Sequence, residues 1–560
     1  MQPLDLLSQI TLPEQSIKKL SFCSSYKAQR VADWASLLRP SQVEKTSALL
    51  YAALPEINQL RCTTSTRVEM LECLRPYVQH TITGLGKAFL NQAMPLSEEA
   101  QRSVVIAQSL QKHMVDGYCL AVKELSQARK LKEKERELLA TCLHRAITGL
   151  GLIIMRGLQL YTPAPKGIWL TMHRLFRCAD AFELLDHRVN DNIQNKTKLS
   201  SIQNNYLRSV LLASAHPDQI TQNDISALYD DFCDWAKQAR FQLDLSDNSE
   251  CFLYLNLEAD AGPHYKSRAN EAEQEQLLLE LDLRSITNQI AKQEQDGEEK
   301  QEAGGLSISP TVSSALLKHL LNCWGGVVQR RHDRRQTQMS ADICIGLSDC
   351  LYFANNNQSF EDFINSNHSE SELDSKAMSF TPGDAFTTET KHSERPLFRL
   401  NISNISQGGY CLEWKGESML KLQAGDVIGL KELNKRLWQV GVVRWIRQRR
   451  HSSLLGIQIL SEKIEPCGLA QTYDMGGYSD FMRALFLPAT PLSNQQSNTI
   501  LTASAPFQAG DRIKMLDKEH TTLAKLDVCL FSTSTVQQFS FQVLEKSVNQ
   551  KPAPSKKAQW

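Results

Sequence analysis

Residues 404–409 read Asn404-Ile405-Ser406-Gln407-Gly408-Gly409, and four short apolar segments follow them along the chain. The segments span 410–414, 422–430, 437–445 and 454–460, with turn-forming residues between them. Short apolar strands separated by turns are typical of a small β-barrel. The sequence therefore predicts a barrel that contains the 404–409 stretch.

The polar residues of this stretch fit one face of a strand that ends in a turn. Asn404 and Ser406 are two positions apart, so on a strand their side chains project from the same face. Both are short hydrogen-bonding groups that can contact a ligand on that face. Gly408 and Gly409 permit a tight turn and a close approach of a ligand to the backbone. Taken alone, the stretch is an ordinary strand-to-turn sequence.

A basic cluster lies upstream, in Gln329-Arg330-Arg331-His332-Asp333-Arg334-Arg335. It contains the spacing R-x-x-x-R from Arg331 to Arg335, and again from Arg330 to Arg334. A planar guanidinium can form two parallel hydrogen bonds with a phosphate or with the N7 and O6 edge of a guanine, which lysine does less well. A basic run alone is more often a solvated linker or a nonspecific nucleic-acid patch.

Together and in this order, the R-x-x-x-R and N-x-S-x-x-G motifs resemble the PilZ domain, a family of small β-barrels that bind the bacterial second messenger cyclic di-GMP. The segments 441–445 and 456–460 also look like the last strands of that family. The resemblance implies a signal receptor rather than an enzyme. It also implies roles for seven residues: Arg330, Arg331 and Arg335 contact phosphates and guanines, Asn404 and Ser406 read a guanine, and Gly408 and Gly409 shape the turn.

The sequence departs from the family pattern in two ways. The two motifs are farther apart than usual because a polar stretch lies at about 355–394, which is expected to be a disordered insertion between strands. An insertion at a hairpin tip need not disturb the site. The first position of the second motif is Asn404 rather than Asp, so one charged acceptor for a guanine N–H is absent.

The first part of the chain has a helical pattern. Apolar residues recur at three- and four-residue spacing through 67–90, 100–125, 132–160 and 168–189, which predicts an all-α domain over 1–245. The pentapeptide Ile82-Thr83-Gly84-Leu85-Gly86 recurs at 147–151. Its glycines predict close helix packing, since neither copy follows a strand or completes a phosphate-binding loop. The two copies suggest a duplicated unit that serves as an interaction platform.

The composition of the remaining chain changes along its length, which divides it into further predicted segments. The predicted fold class is α+β multidomain. We predict a mixed segment and charged linker at 246–309, with a strand at 251–255 and a helix at 273–293. A PilZ-like six-stranded β-barrel follows at 310–468, preceded by a helix that has Pro310 in its first turn and ends at Gly325.

A second small β-barrel-like, PilZ-like domain is predicted at 469–547, because Gln423-Ala424-Gly425-Asp426 recurs at 508–511 ahead of another apolar strand. That region lacks both motifs, so we do not expect it to bind nucleotide. A disordered tail is expected at 548–560.

Chain length, net charge and cysteine spacing limit the classes of protein to which this sequence can belong. A chain of 560 residues suggests about three or four domains. The 62 basic and 62 acidic residues give a net charge of zero, so no overall field draws the protein to nucleic acid or to anionic membranes. The 14 cysteines show no metal-ligand spacing and favour reduced thiols in a cytosol.

Targeting and catalytic signals are missing from the sequence. The start lacks the basic and apolar regions of a secretory signal, and the most apolar stretch, 146–160, is short and interrupted by Arg156. The motifs H-E-x-x-H, G-x-S-x-G and the Walker loop are absent. His332-Asp333 alone does not make a metal phosphohydrolase site. His144, His173 and His187 are expected to be core or surface residues. We therefore expect a cytoplasmic protein that is no enzyme and has no metal, cofactor or membrane span.

The resemblance implies a cyclic di-GMP effector that couples the messenger to motility, type IV pilus or biofilm output. The output is expected to run through contacts of the helical domain with an unidentified protein, although fold analogy does not transfer function. Two alternatives stay open. One is an interaction scaffold whose barrel no longer binds the nucleotide. The other is a nucleic-acid binder, not expected from the net charge, that uses 330–335 with Arg444, Arg447, Arg449 and Arg450.

Overall fold

The computed structural model describes residues 3–128, 130–193, 198–242, 253–265, 278–296, 305–326, 335–367, 395–406, 408–415, 422–449, 452–473, 476–489, 497–518, 520–533 and 535–548. The chain divides into two compact units. The first is Met1–Gln329 with Glu417–Lys421, and the second is Arg330–Gly416 with Leu422–Trp560.

The first unit begins as a helical bundle, which confirms that the N-terminal region is helical, although it also contains a short β-hairpin. Side chains of Thr63, Ser97 and Ser201 each accept a hydrogen bond from the backbone N–H three residues on, which satisfies a free donor at a helix start. The helices are α1 (Pro3–Ser8), α2 (Ala28–Ala35), α3 (Val43–Gln59), α4 (Thr64–Gly86), α5 (Glu98–Leu125), α6 (Glu133–Gln159), α7 (Ile168–Ala181), α8 (Ile202–Ser214) and α9 (Gln222–Trp235), with a 3-10 turn at Pro217–Gln219.

Helix α6 lies at the centre of this bundle, in contact with α5, α7, α8 and α9. Among the described residues it is the one helix long and apolar enough to cross a membrane by length and composition. Of its most apolar window, 83% is buried inside the fold. A helix that is apolar on nearly all sides is expected at the core of a helical bundle.

The helix predicted over 168–189 is too long. Helix α7 ends at Ala181, and Arg188–Asn190 forms strand β1, which pairs antiparallel with β2 (Leu199–Ser201). Val189 had extended the helical pattern, but it is the buried centre of β1. The helical spacing of this apolar residue therefore indicated that it is buried, but not that the helix extends to it.

Both copies of the repeated pentapeptide lie in helices, α4 and α6, and their glycines allow close packing as predicted. A Cβ on Gly84 would stand 2.6 Å from Val43 Cγ2 on α3, and a Cβ on Gly149 would stand 2.5 Å from Val115 Cγ2 on α5. Gly151 faces Ser209 Oγ on α8 even more closely. Gly86, at the matching position of the first copy, meets only Leu90 Cδ1 at 3.5 Å.

Replacing Gly151 with Ala is therefore expected to destabilise the first unit by about 1–3 kcal/mol, because the added Cβ would meet Ser209 Oγ and Tyr229 Oη, and these buried side chains or their helices must shift. Gly86→Ala is the matched control and is expected to cost nothing, since alanine is the better helix former by about 1 kcal/mol. Urea unfolding followed by circular dichroism at 222 nm measures both. Equal effects at the two positions would contradict this packing role.

A four-stranded antiparallel sheet and two helices complete the first unit. The sheet has the order β3-β6-β4-β5. Its strands are β3 (Arg240–Gln242), β4 (Leu253–Asn256), β5 (His264–Tyr265) and β6 (Leu278–Asp282), and the helices are α10 (Arg284–Asp296) and α11 (Ser314–Trp324). The strand expected near 251–255 is confirmed as β4.

Two helices predicted in this region begin later in the chain than expected. The helix expected over 273–293 is wrong at 278–282, which form β6 between two other strands, and α10 begins at Arg284, while 273–277 lie outside the described residues. The first four residues of β6 are all buried, and a strand covered on both faces shows no alternation. Helix α11 is capped by Ser313, so Pro310 precedes it instead of lying in its first turn, while Gly325 ends it as predicted.

The second unit contains the predicted six-stranded barrel. Its strands close in the ring β8-β9-β10-β13-β12-β11 with every neighbour antiparallel, and the short strand β7 (Arg335–Gln336) adds to β9. The strands are β8 (Ser340–Ile345), β9 (Phe398–Ser406), β10 (Gly409–Lys415), β11 (Val427–Glu432), β12 (Gln439–Gln448) and β13 (Ser452–Ser461).

The predicted second barrel is also closed, with the ring β14-β15-β16-β19-β18-β17. Its strands are β14 (Glu465–Gln471), β15 (Met482–Leu487), β16 (Thr499–Ala503), β17 (Arg512–Leu516), β18 (His520–Ser532) and β19 (Val536–Val548). Matched in chain order, the strands of the two barrels follow the same ring. Strand β14 of the second barrel follows closely after β13, the last strand of the first barrel. The domain boundary predicted after residue 468 therefore falls inside β14.

The repeated Gln-Ala-Gly-Asp sequence forms the same turn in each barrel. In both turns the backbone N–H of the Gln donates to the Asp carboxylate, at 2.7 Å in the first barrel and at 2.8 Å in the second. Each Gly has a positive φ, 94° at Gly425 and 97° at Gly510, which favours glycine. Shared topology and shared turn together support a duplication of the barrel.

Helices α12 (Leu347–Ala354) and α13 (Phe360–Asn367) lie between β8 and β9. The insertion expected to be disordered at about 355–394 therefore includes a helix, which is anchored by buried Phe363. Residues 368–394 lie outside the described part, as do 297–304 of the expected linker and 549–560 of the expected tail. Leu351 of α12 belongs to one apolar core with Val427 of the first barrel and Leu485 of the second.

Candidate functional site

The N-x-S-x-x-G stretch forms the tight connection between β9 and β10. Ser406 pairs with Gly409 across the turn, and its Oγ donates to the Gly409 carbonyl oxygen at 3.3 Å. The carbonyl oxygen of Gly408 accepts from the Ile459 backbone N–H at 3.0 Å, which ties the turn to β13. Gln407 lies outside the described residues.

Glycine at 409 is required by space. A Cβ at this position would overlap the backbone carbonyl oxygen of Ile457 on the neighbouring strand β13. A backbone atom held in a β-ladder cannot move aside as a flexible side chain can. The turn between β9 and β10 therefore depends on the glycine that the motif supplies, and not on a positive φ.

One arginine of the basic cluster is described, and it lies beside the second motif. Arg335 in β7 pairs with Ile405 of β9, and Gln336 pairs with Asn404. The Arg335 side chain is exposed. Arg330 and Arg331 lie outside the described residues.

Strand pairing also fixes which side chains share a face. Paired residues on neighbouring strands point the same way, and successive residues alternate. Gln336, Asn404 and Ser406 therefore lie on one face, which we call the polar face, while Arg335 is on the side of Ile405. The sequence motifs did not single out Gln336, because its place beside Asn404 depends on the β7–β9 pairing.

A cavity of about 670 Å³ opens at the end of the barrel where these elements meet. Its lining combines motif residues with residues from the far wall, where β11 ends and β12 begins. They include Arg335, Ser406, Gly409, Glu432, Lys435 and Gln439. We call this space the mouth cavity. Its size falls in the range of about 300–1,000 Å³ that is usual for small-molecule sites.

A hydrogen-bond network lines the mouth cavity, and it is buried except at the half-exposed Lys435. The Tyr410 hydroxyl lies 2.6 Å from Glu432 Oε1 and 3.0 Å from Gln439 Oε1, and Lys435 Nζ lies 2.7 Å from the same Glu432 oxygen. Burial, and then the bond to Glu432, raises the pKa of Tyr410, so the phenol stays protonated and donates. Sequence reasoning missed these residues, since they are far apart along the chain.

A larger cavity of about 1040 Å³ lies elsewhere in the second unit. Aromatic residues from α13 and the second barrel line it, including Phe360, Tyr478, Phe481 and Phe507. None of its lining residues belongs to either sequence motif. The smaller mouth cavity is therefore the better candidate, because Arg335, Ser406 and Gly409 of the two motifs line it. Asn404 and Gly408 are described but do not line it.

The described residues form no cluster of metal ligands, and their cysteines form no disulfide bond. Within the described ranges, no group of three or more His, Cys, Asp or Glu side chains is placed to hold a metal. Every described cysteine is a free thiol. His144 and His173 are buried in the helical bundle, as core residues are expected to be.

Comparison with known protein families gives three adjoining matches. A model described as "Cyclic-di-GMP receptor FimW, N-terminal domain" matches residues 29–247, and "Cyclic-di-GMP receptor FimW, middle PilZ domain" matches 252–386 and 371–466. "FimW C-terminal beta-barrel domain" matches 467–544. The PilZ resemblance and the order of helical region, PilZ barrel and second barrel are confirmed.

The chain is also similar to the protein named "Cyclic-di-GMP receptor FimW" of Pseudomonas aeruginosa, at 28% identity over 575 residues. The alignment covers 96% of this chain and 93% of that protein. No solved structure gives a significant match. The chain is therefore a multidomain member of the PilZ-domain receptor family, and its helical, middle and C-terminal regions are each similar to a FimW domain.

Proposed function

We propose that this protein binds cyclic di-GMP at the open end of its first barrel and acts as an effector, not as an enzyme. The observation that carries this proposal is the pairing of Arg335 and Gln336 with the strand of Asn404 and Ser406. The pairing brings the end of the basic cluster to the second motif. The name of the Pseudomonas aeruginosa relative supports the same ligand.

The chemistry of these residues suits a ligand with two phosphates and two guanines. Arg335, with Arg330 and Arg331 upstream, supplies guanidinium groups for phosphates and for the N7 and O6 edge of guanine. Asn404 and Ser406 supply neutral hydrogen-bonding groups on the polar face, next to Gln336. Gly408 and Gly409 keep the turn tight enough for a ligand to approach the backbone.

The proposal extends to the organisation of the whole chain. We propose a helical domain at 1–245, a mixed segment at 246–309, a nucleotide-binding barrel that ends before β14, a second barrel from β14 to β19 that does not bind nucleotide, and a tail after 548. The helical domain would contact an unidentified protein partner in the cytoplasm. We propose an output in motility, type IV pili or biofilm formation, which is what the PilZ resemblance implies.

Removing one guanidinium should strongly weaken nucleotide binding. We expect Arg331→Ala and Arg335→Ala each to lower the affinity for cyclic di-GMP by about 10- to 100-fold, because each loses charge-assisted hydrogen bonds to the ligand. Isothermal titration calorimetry on the full chain measures this. Arg449→Ala is the matched control, since Arg449 is also exposed but follows β12 at the opposite end of the barrel.

The same titration separates the alternatives. Saturable binding of one or two nucleotides per chain, lost in the arginine variants, supports the receptor. Absence of binding at high micromolar nucleotide would favour a scaffold whose barrel no longer binds its ligand. Binding to any DNA duplex with a steep dependence on salt would favour a nucleic-acid binder.

A further inference from the structure

The mouth cavity contains a buried carboxylate that neither motif includes. The side chain of Glu432 is 8% exposed, and its Oε1 lies within hydrogen-bonding distance of both the Tyr410 hydroxyl and Lys435 Nζ. Within the described part of the chain, no donor contacts Oε2. Glu432 therefore lines the cavity with acceptor capacity left for a ligand.

The surrounding network fixes the position of this carboxylate. Tyr410 has one hydroxyl proton, which goes to Glu432 because that acceptor is both nearer and charged. Lys435 holds the same oxygen from the cavity side. Tyr410 also directly follows Gly409, so the network connects the motif turn to the far wall of the barrel. A carboxylate held in this way is preorganised for a ligand donor.

Guanine presents two edges that need opposite partners. Its N7 and O6 atoms are acceptors and match a guanidinium, whereas N1–H and the 2-amino group are adjacent donors and match a carboxylate. The arginines and the polar face offer no carboxylate, because Asn404 occupies the first motif position. Glu432 is a carboxylate in the cavity that Arg335 and Ser406 also line.

We propose that Glu432 is a guanine-reading residue, accepting hydrogen bonds from the N1–H and the 2-amino group of one guanine of cyclic di-GMP. This inference rests on the proposed function and names the group that selects guanine there. Tyr410 and Lys435 are positioning residues for the carboxylate. The second guanine of the ligand remains available to Asn404 and Ser406.

The test uses a ligand that differs from cyclic di-GMP by the 2-amino group alone. Cyclic di-IMP keeps N7, O6 and N1–H, so the arginine contacts are unchanged. We expect the full-length wild type to bind cyclic di-GMP at least about tenfold more tightly than cyclic di-IMP by calorimetry. In Glu432→Gln the ratio should fall close to one, because an amide N–H would face the 2-amino group. A merely weakened barrel would lose affinity for both ligands in proportion.

Glu413→Gln is the matched control. Glu413 lies in the same barrel and pairs with Lys415 Nζ at 3.3 Å, but it does not line the mouth cavity, so the variant should keep the wild-type ratio. A wild-type ratio near one overturns the inference even if Glu432→Gln does not fold. A folded Glu432→Gln that keeps the wild-type ratio also overturns it. Absence of wild-type binding to both ligands refutes the proposed function itself.

Discussion

Asp191→Asn is expected to destabilise the helical unit by about 3–5 kcal/mol, the cost of breaking a buried ion pair by removing one partner. Asp191 is 1% exposed and accepts from Arg75 Nη2 at 2.6 Å. Arg145 Nη1 lies 3.2 Å from its other oxygen. The substitution keeps the shape of the side chain and leaves two buried guanidinium groups without their shared carboxylate.

The position of Asp191 explains why the effect should be large. It follows strand β1, whereas Arg75 and Arg145 belong to α4 and α6, so the ion pairs hold the β1–β2 hairpin against the bundle. Burial alone would raise the pKa of Asp191, but Arg75 and Arg145 lower it. Because the pKa is lowered, the stabilisation is present at neutral pH and is lost as the pH falls through the folded-state value.

Urea unfolding followed at 222 nm measures the loss. Asp33→Asn is the control, because Asp33 is 51% exposed in its side chain and lies 3.7 Å from Arg30. An exposed pair of this kind contributes about 0–1 kcal/mol. If Asp191→Asn cost no more than Asp33→Asn, the hairpin would not depend on these ion pairs.

Mild acid is expected to destabilise the same helical unit through two buried histidines. Burial, and then Arg145, lowers the pKa of His144 to about 3, and burial lowers the pKa of His173 to about 4. The unfolded chain therefore takes up these protons first as the pH falls. Each histidine therefore lowers the free energy of unfolding by about 1.4 kcal/mol for every pH unit below about 6.5. At pH 5 the decrease is about 2 kcal/mol per histidine.

The hydrogen bonds show why the folded state resists protonation. Arg145 Nη1 lies 3.3 Å from His144 Nδ1 and can only donate, so this nitrogen must stay unprotonated. His173 Nε2 donates to the Ala261 carbonyl oxygen at 2.9 Å, and the Tyr206 hydroxyl lies 2.7 Å from Nδ1. A second proton on His144 would meet the Arg145 guanidinium, which cannot accept it, and a second proton on His173 would place a charge inside the core.

The measurement is the free energy of unfolding of the helical unit between pH 7 and pH 5. His144→Gln should flatten part of the pH dependence, while His187→Gln, at a half-exposed position, should leave it unchanged. A wild-type stability that does not fall over this interval would contradict the expected penalty.

Local sequence patterns were sufficient to predict most helices of the bundle and both barrels. The helices of the bundle followed from apolar spacing, and the two barrels followed from short strands, turn residues and the repeated Gln-Ala-Gly-Asp turn. The glycines of the repeated pentapeptide also indicated close packing before any neighbour was known. These features depend on residues that are close along the chain, so periodicity and turn chemistry predict them.

Tertiary structure decided what depends on distant partners. Strand β6 lies within the segment 273–293 that was predicted as a charged helix, and only its place between β3 and β4 explains its burial. The motifs indicated Arg335 and Asn404, but the pairing of β7 with β9 placed Gln336 beside Asn404. The ring of the barrel brought Glu432 and Tyr410 to one hydrogen bond across 22 positions. Strand pairing and burial are set by chain closure over long separations, which no local pattern encodes.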